Sequence, residues 1–145
     1  MNNVYEYVKK FKSKYKKTIA FRIKAHCKII NLHLNPDEKV LFAFPAQDNR
    51  NSFIIINSCV VALTNKRLLV GKKRLIWGYF LTSITPDLYN DLKVIKNLIW
   101  SNVEVDTVKE TIYFSNIDPD GAVEIESVIT DYMIKEKQKY GQKNN

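Results

Sequence analysis

The chain has 145 residues, 46% of them apolar, with two Cys, four Gly, four Pro and a net charge of +8. That size and apolar content suit one packed domain with its own core. They exclude a disordered chain and a disulfide-stapled secreted scaffold.

The charge is concentrated at one end. Residues 1–34 hold Lys9, Lys10, Lys12, Lys14, Lys16, Lys17, Arg22, Lys24 and Lys28 against the single acid Glu6, which accounts for all of the +8. Residues 35–145 hold 14 basic and 14 acidic side chains and are neutral. A neutral domain with a basic arm points to an anionic partner for the arm.

Residues 1–34 contain neither Gly nor Pro. Val4, Val8, Phe11, Tyr15, Ile19, Ile23, Cys27, Ile30 and Leu34 recur in steps of three and four, which predicts a long basic amphipathic helix. One unbroken helix would span about 50 Å, wider than a small domain. A break near Thr18–Phe21, with the second half packed on the domain and the first half projecting, is one alternative to a single long helix. Asn35-Pro36 ends the helix.

Strands follow. Val40–Phe44 is a short apolar run ended by Pro45, and Phe53–Leu63 is rich in β-branched residues. Arg67–Val70 leads into a predicted Gly71-Lys72-Lys73 turn. Leu75–Trp77, Tyr79–Ile84, Asp91–Lys96, Ile99–Asp106 and Thr111–Ser115 read as further strands. Their close spacing argues antiparallel meanders. A closing helix begins at Asp118 or Asp120 with Pro119 in its first turn, and carries an apolar stripe through Ala122, Ile125, Ile129 and Met133. The expected organisation is a helical arm over 1–34, a domain over 35–140 and a disordered tail over 141–145.

Three segments carry a resemblance. Leu34-Asn-Pro-Asp-Glu38-Lys-Val-Leu41 is similar to the entry into the first strand of small bacterial pleckstrin-homology-like (PH-like) domains. Val61-Ala-Leu-Thr64-Asn65-Lys66-Arg67-Leu68-Leu69 resembles their strand, Thr-Asn-x-Arg turn and next strand. Ile84-Thr-Pro-Asp-Leu88 with Leu92-Lys-Val94 resembles a later segment. The resemblance implies a mainly β fold, a seven-stranded antiparallel barrel or sandwich closed by a C-terminal helix, and a binding module in place of an enzyme. Independently of it, Asn65 suits a left-handed hairpin position, Thr64 can bond nearby turn amides, and Arg67 calls for a carboxylate or carbonyl beside the turn.

The chemical inventory is thin. Both histidines, His26 and His33, lie in the arm, and with Cys27 they make a poor metal set because they sit two turns apart. Asp118-Pro-Asp120-Gly121 lacks the acid that would complete a calcium loop. Neither metal, cofactor nor small-molecule substrate is indicated, and Cys27 and Cys59 read as free thiols. The arm has no apolar run of signal-peptide length, so a cytoplasmic location, or the inner face of the membrane, is the expectation.

Two basic features remain. In the arm, Lys9, Lys10, Lys12, Lys14, Lys16 and Lys17 interleave with aromatics, and Phe11 and Tyr15 are the candidates for apolar contact. The second is Lys72, Lys73 and Arg74. Such patterns serve a helix packed on its own domain, an anionic lipid or protein surface, or, less well, a nucleic-acid backbone. A small phage or mobile-element protein that inhibits one host protein is a further reading, as is a homo-oligomer formed through the arm.

Overall fold

The computed structural model describes residues 3–143. Helices α1 (Val4–Lys14) and α2 (Ile23–His33) precede strands β1 (Val40–Gln47), β2 (Ser58–Thr64), β3 (Leu68–Lys73), β4 (Tyr79–Ile84), β5 (Tyr89–Lys96), β6 (Ser101–Thr107) and β7 (Thr111–Ile117), and α3 (Pro119–Lys143) closes the chain. All strand pairs are antiparallel, in the order β4-β3-β2-β1-β7-β6-β5. β1 meets β7 only at Gln47↔Ser115, so the sheet splays there into two halves. The inner faces of both halves and the stripe of α3 (Ala122, Ile125, Ile129, Met133) enclose the main core around Phe44 and Phe114.

A second core lies on the outer face of the first half. Val4 and Val8 of α1, with Cys27 and Ile30 of α2, cover Val40, Ala43, Val60, Ala62 and Leu69. The expected long helix is therefore two helices, and the first half does not project. Its apolar stripe, through which pairing with a second copy was an option, is used inside the fold, with Val4 and Val8 fully buried. Gly71 is the contact point for α2: a Cβ there would lie 2.6 Å from Cγ1 of Ile30.

The break has a physical cause. Between the helices the backbone finds better partners on the barrel than in a helix. The Lys17 amide donates to Asp118 (3.3 Å), the Ile19 amide to the Asn116 carbonyl (2.9 Å) and the Phe21 amide to Ser58 Oγ (2.8 Å). Gln47 Nε2 donates to the Ile19 carbonyl at 3.0 Å, and Arg22 turns the chain into α2 at φ 55°.

Several strand boundaries also differ from expectation. β1 runs through Pro45, which is tolerated because β1 has a second neighbour only at Gln47. Residues 53–57 are loop, the strand beginning at Ser58. Lys72 and Lys73 lie in β3, and Leu75–Trp77 forms the β3–β4 connection, where Gly78 takes φ 85°. Asp118 caps α3 by accepting from the Asp120 amide (3.1 Å). That helix continues to Lys143 where a disordered tail was expected; Asn144 and Asn145 lie outside the described residues.

Candidate functional site

The Thr64–Arg67 turn is densely hydrogen-bonded. Glu38 is wholly buried, and Arg67 holds its carboxylate through Nε and Nη2, each at 3.0 Å. Arg67 also donates to the His33 carbonyl (3.1 Å) and to Ser83 Oγ (3.2 Å). Thr64 donates its hydroxyl to Glu38 (2.6 Å) and accepts from the amides of Lys66 and Arg67. Burial pushes the Glu38 carboxyl up, but the Arg67, Thr64 and Asn35 hydrogen bonds outweigh it and hold the group below its ordinary range. The Arg67 and Thr64 donors are directed at α2, the strand entry and β4, while Lys66 pairs with the exposed Asp37 (2.8 Å).

Asn65 is not left-handed. Positive φ among the described non-glycine residues occurs only at Arg22 and Asn116. Asn65 works through its side chain, accepting from the Lys39 amide at 2.7 Å while its own amide donates back to Lys39.

The structure scatters the lysines of the arm. Lys9 pairs with Glu6 (3.5 Å) and lies over the Tyr5 ring, and Lys12 donates to the Ala20 carbonyl (3.3 Å). Lys14 faces Glu124 (3.7 Å) and the Tyr15 ring. Lys10, Lys16 and Lys17 are exposed, with no side-chain acceptor among the described residues. Phe11 and Tyr15 are only 4% and 8% exposed, packing against Phe42, Phe44 and Gly121, so neither is available to a surface. The Tyr15 hydroxyl donates to Glu124.

The histidines and Cys27 are engaged separately. His26 Nδ1 accepts from the Lys73 amide (2.9 Å), tying α2 to the end of β3. Burial, with the positive charges of Arg22 and Lys72, lowers its pKa to about 4. His33 contacts the Ile29 carbonyl and the Tyr79 hydroxyl, and burial pushes the Cys27 thiol up to about 12. No group of three metal-ligating side chains occurs among the described residues.

One surface combines exposed apolar groups with four basic side chains that form no salt bridge among the described residues, although Lys72 also feels the nearby Asp48 carboxylate. The α1–α2 linker, the β1–β2 loop and the β3–β4 connection line an open cleft of about 800 Å³. Phe21, Ile55, Ile56, Leu75, Ile76, Trp77 and Phe80 supply its apolar wall; Arg22, Lys72, Lys73 and Arg74 supply four cations, and no acid lines it. The ladders explain the meeting: Gln47↔Ser58, Val60↔Gly71 and Lys73↔Tyr79 bring both connections to one end of the sheet. A cleft between α3 and β1, by contrast, contains Asp131, Lys135, Glu136 and Lys139, which pair with one another.

Sequence reasoning found Lys72, Lys73 and Arg74 but missed the apolar half of this surface. Phe53–Ile56 and Leu75–Trp77 have the composition of strands, yet both lie in loops. The available signals were the polar Asn57-Ser58 pair inside the first run and Gly78 directly after the second.

Seven antiparallel strands in two splayed halves, closed by a C-terminal helix, define a PH-like fold, the fold of a general binding module. The family model described as bacterial PH domain matches residues 34–131, and the chain belongs to that family. The match takes in the Glu38–Arg67 turn and both loops of the cleft, and leaves α1 and α2 outside. No curated protein matches the chain. Among the described residues, no helix is long and apolar enough to cross a membrane.

Proposed function

We propose that this protein is a non-catalytic binding module that engages an anionic membrane surface through the cleft formed by the linker and the two loops. Its place would be the cytoplasmic face of the membrane. The observation that carries the reading is the grouping of Arg22, Lys72, Lys73 and Arg74 around one cleft with no acid in its lining. Basic groups held near a negatively charged leaflet gain several-fold in partitioning each, an effect confined to about a Debye length.

The α1 lysines take a lesser part in this reading, because Lys9, Lys12 and Lys14 already have partners on the protein. The test is co-sedimentation of the full chain with neutral phosphatidylcholine vesicles and with vesicles containing phosphatidylserine, alongside a duplex-DNA gel shift. Binding to the anionic vesicles alone, weakening as salt rises, supports the reading. Equal binding to both vesicles, or a DNA shift without vesicle binding, overturns it; the latter favours a nucleic-acid partner.

A further inference from the structure

We infer that the groove between α1 and α2 docks an acidic segment of a protein partner, with an apolar side chain of that segment seated between the helices and its carboxylates on the lysines around it. This surface is separate from the cleft of the membrane reading and does not rest on it.

The groove has a volume of about 800 Å³, and every residue lining it comes from α1, α2 or the linker that joins them. Val8 and Ala20, 0% and 2% exposed, form its floor together with the half-buried Ile23 and Ala25. Lys9, Lys12, Arg22 and Lys24 stand around it, and no acid lines it.

The chain itself only partly answers this charge. Glu6 pairs with Lys9 (3.5 Å) from outside the groove, and both side chains are more than half exposed. Lys12 donates to the neutral Ala20 carbonyl (3.3 Å), which leaves its ammonium two further donors. The ammonium groups of Lys9 and Lys24 lie 5.2 and 5.4 Å from the centroid of one ring, that of Tyr5, so two like charges gather on a single side chain. Arg22 and Lys24 also stand at the positive end of α2, whose first turn holds no acid. Positive charge around an apolar floor complements carboxylates that flank an apolar anchor.

Depth selects the occupant. In the cleft at the loop end, Leu75, Ile76 and Trp77 stand exposed beside the cations, whereas here the apolar groups lie beneath them. A flat bilayer meets the lysines and does not reach Val8 or Ala20, and a nucleic-acid backbone leaves the floor empty. A side chain projecting from an acidic peptide satisfies both levels.

The test is fluorescence anisotropy of a fluorescein-labelled Glu-Asp-Glu-Leu-Phe-Glu-Asp-Glu peptide titrated with the full chain. Binding should weaken about tenfold when the acids of the peptide become amides, and about tenfold when Leu-Phe becomes Ser-Ser. Lys9→Gln, Lys12→Gln, Lys24→Gln should bind the peptide about tenfold more weakly. An equal loss of charge on the other half of the sheet, Lys93→Gln, Lys96→Gln, Lys109→Gln, should stay within about threefold of wild type. Ala25→Glu puts a carboxylate into the groove at the third position of α2, where Glu suits a helix. It should unfold as wild type does, lose peptide binding and keep its binding to anionic vesicles. No peptide binding by the wild type, equal losses in the two lysine variants, or binding indifferent to Leu-Phe overturns the inference; persisting vesicle binding then leaves the membrane reading standing. Loss of vesicle binding in Ala25→Glu to the same extent as peptide binding overturns it in favour of an anionic lipid. Displacement of the peptide by duplex DNA at lower concentration than by unlabelled peptide overturns it in favour of a nucleic acid.

Discussion

Arg67 holds both carboxylate oxygens of Glu38 at 3.0 Å, across 29 residues of sequence. The carboxylate has no solvent exposure and the guanidinium little, so the pair locks the entry into β1 to the β2–β3 turn and, through the His33 carbonyl, to the end of α2. Removing one partner strands the other in a dry site. Arg67→Ala and Glu38→Ala should each cost about 3–5 kcal/mol in urea unfolding, with little change in vesicle binding for whatever fraction folds. The lowered Glu38 pKa adds an acid dependence. Its stabilisation is complete above the ordinary carboxylate range and is lost as pH falls through the folded value.

His26 gives a second, separable pH effect. Its folded pKa of about 4 lies below the ordinary 6.5, so between these values the unfolded chain binds the proton and the fold does not. Stability should therefore fall as pH drops from 6.5 toward 4, by about 2–3 kcal/mol. His26→Gln, which keeps an acceptor for the Lys73 amide, should flatten the curve in that window. An unchanged curve would place the titration elsewhere.

The packing of α2 on β3 depends on a missing side chain. In Gly71→Ala the new methyl meets Ile30 Cγ1 at 2.6 Å and the His26 carbonyl at 3.3 Å, so the helix must shift. Thermal unfolding should show a loss of about 1–3 kcal/mol. Ile30→Val in the same chain should recover only a small part of it, since it removes Cδ1, 3.1 Å from the new methyl, but leaves the γ carbon at 2.6 Å in place.

Removing residues 1–34 is not a clean test of the arm. It would uncover Val40, Ala43, Val60, Ala62 and Leu69 on the outer sheet face. The shortened chain should bind a hydrophobic dye and lose cooperative unfolding, whereas full-length variants in the arm's exposed lysines should unfold as wild type does.

Local patterns disclosed much of this molecule. The three- and four-residue steps in the arm marked the stripe that α1 and α2 bury, and the Thr64–Arg67 segment marked the hairpin. The helix break was visible as a length problem, but its partners, Asn116, Ser58 and Asp118, are about 37 to 101 residues away and leave no local trace. The same holds for Glu38 and Arg67 as a pair. The cleft was half legible: Lys72, Lys73 and Arg74 stood out as charge, while Leu75-Ile76-Trp77 has the composition of a strand. Only the ladder, which ends β3 at Lys73 and begins β4 at Tyr79, turns that triplet out to solvent.

The central claim is that the membrane-binding surface is the cleft and not the total charge of the arm. Two full-length variants with equal loss of charge test it most directly: Lys72→Gln, Lys73→Gln, Arg74→Gln against Lys9→Gln, Lys10→Gln, Lys12→Gln. In titrations with phosphatidylserine-containing vesicles the first should bind about a hundredfold more weakly, and the second within about threefold of wild type. Equal losses in the two, or a larger loss in the arm variant, would contradict the account.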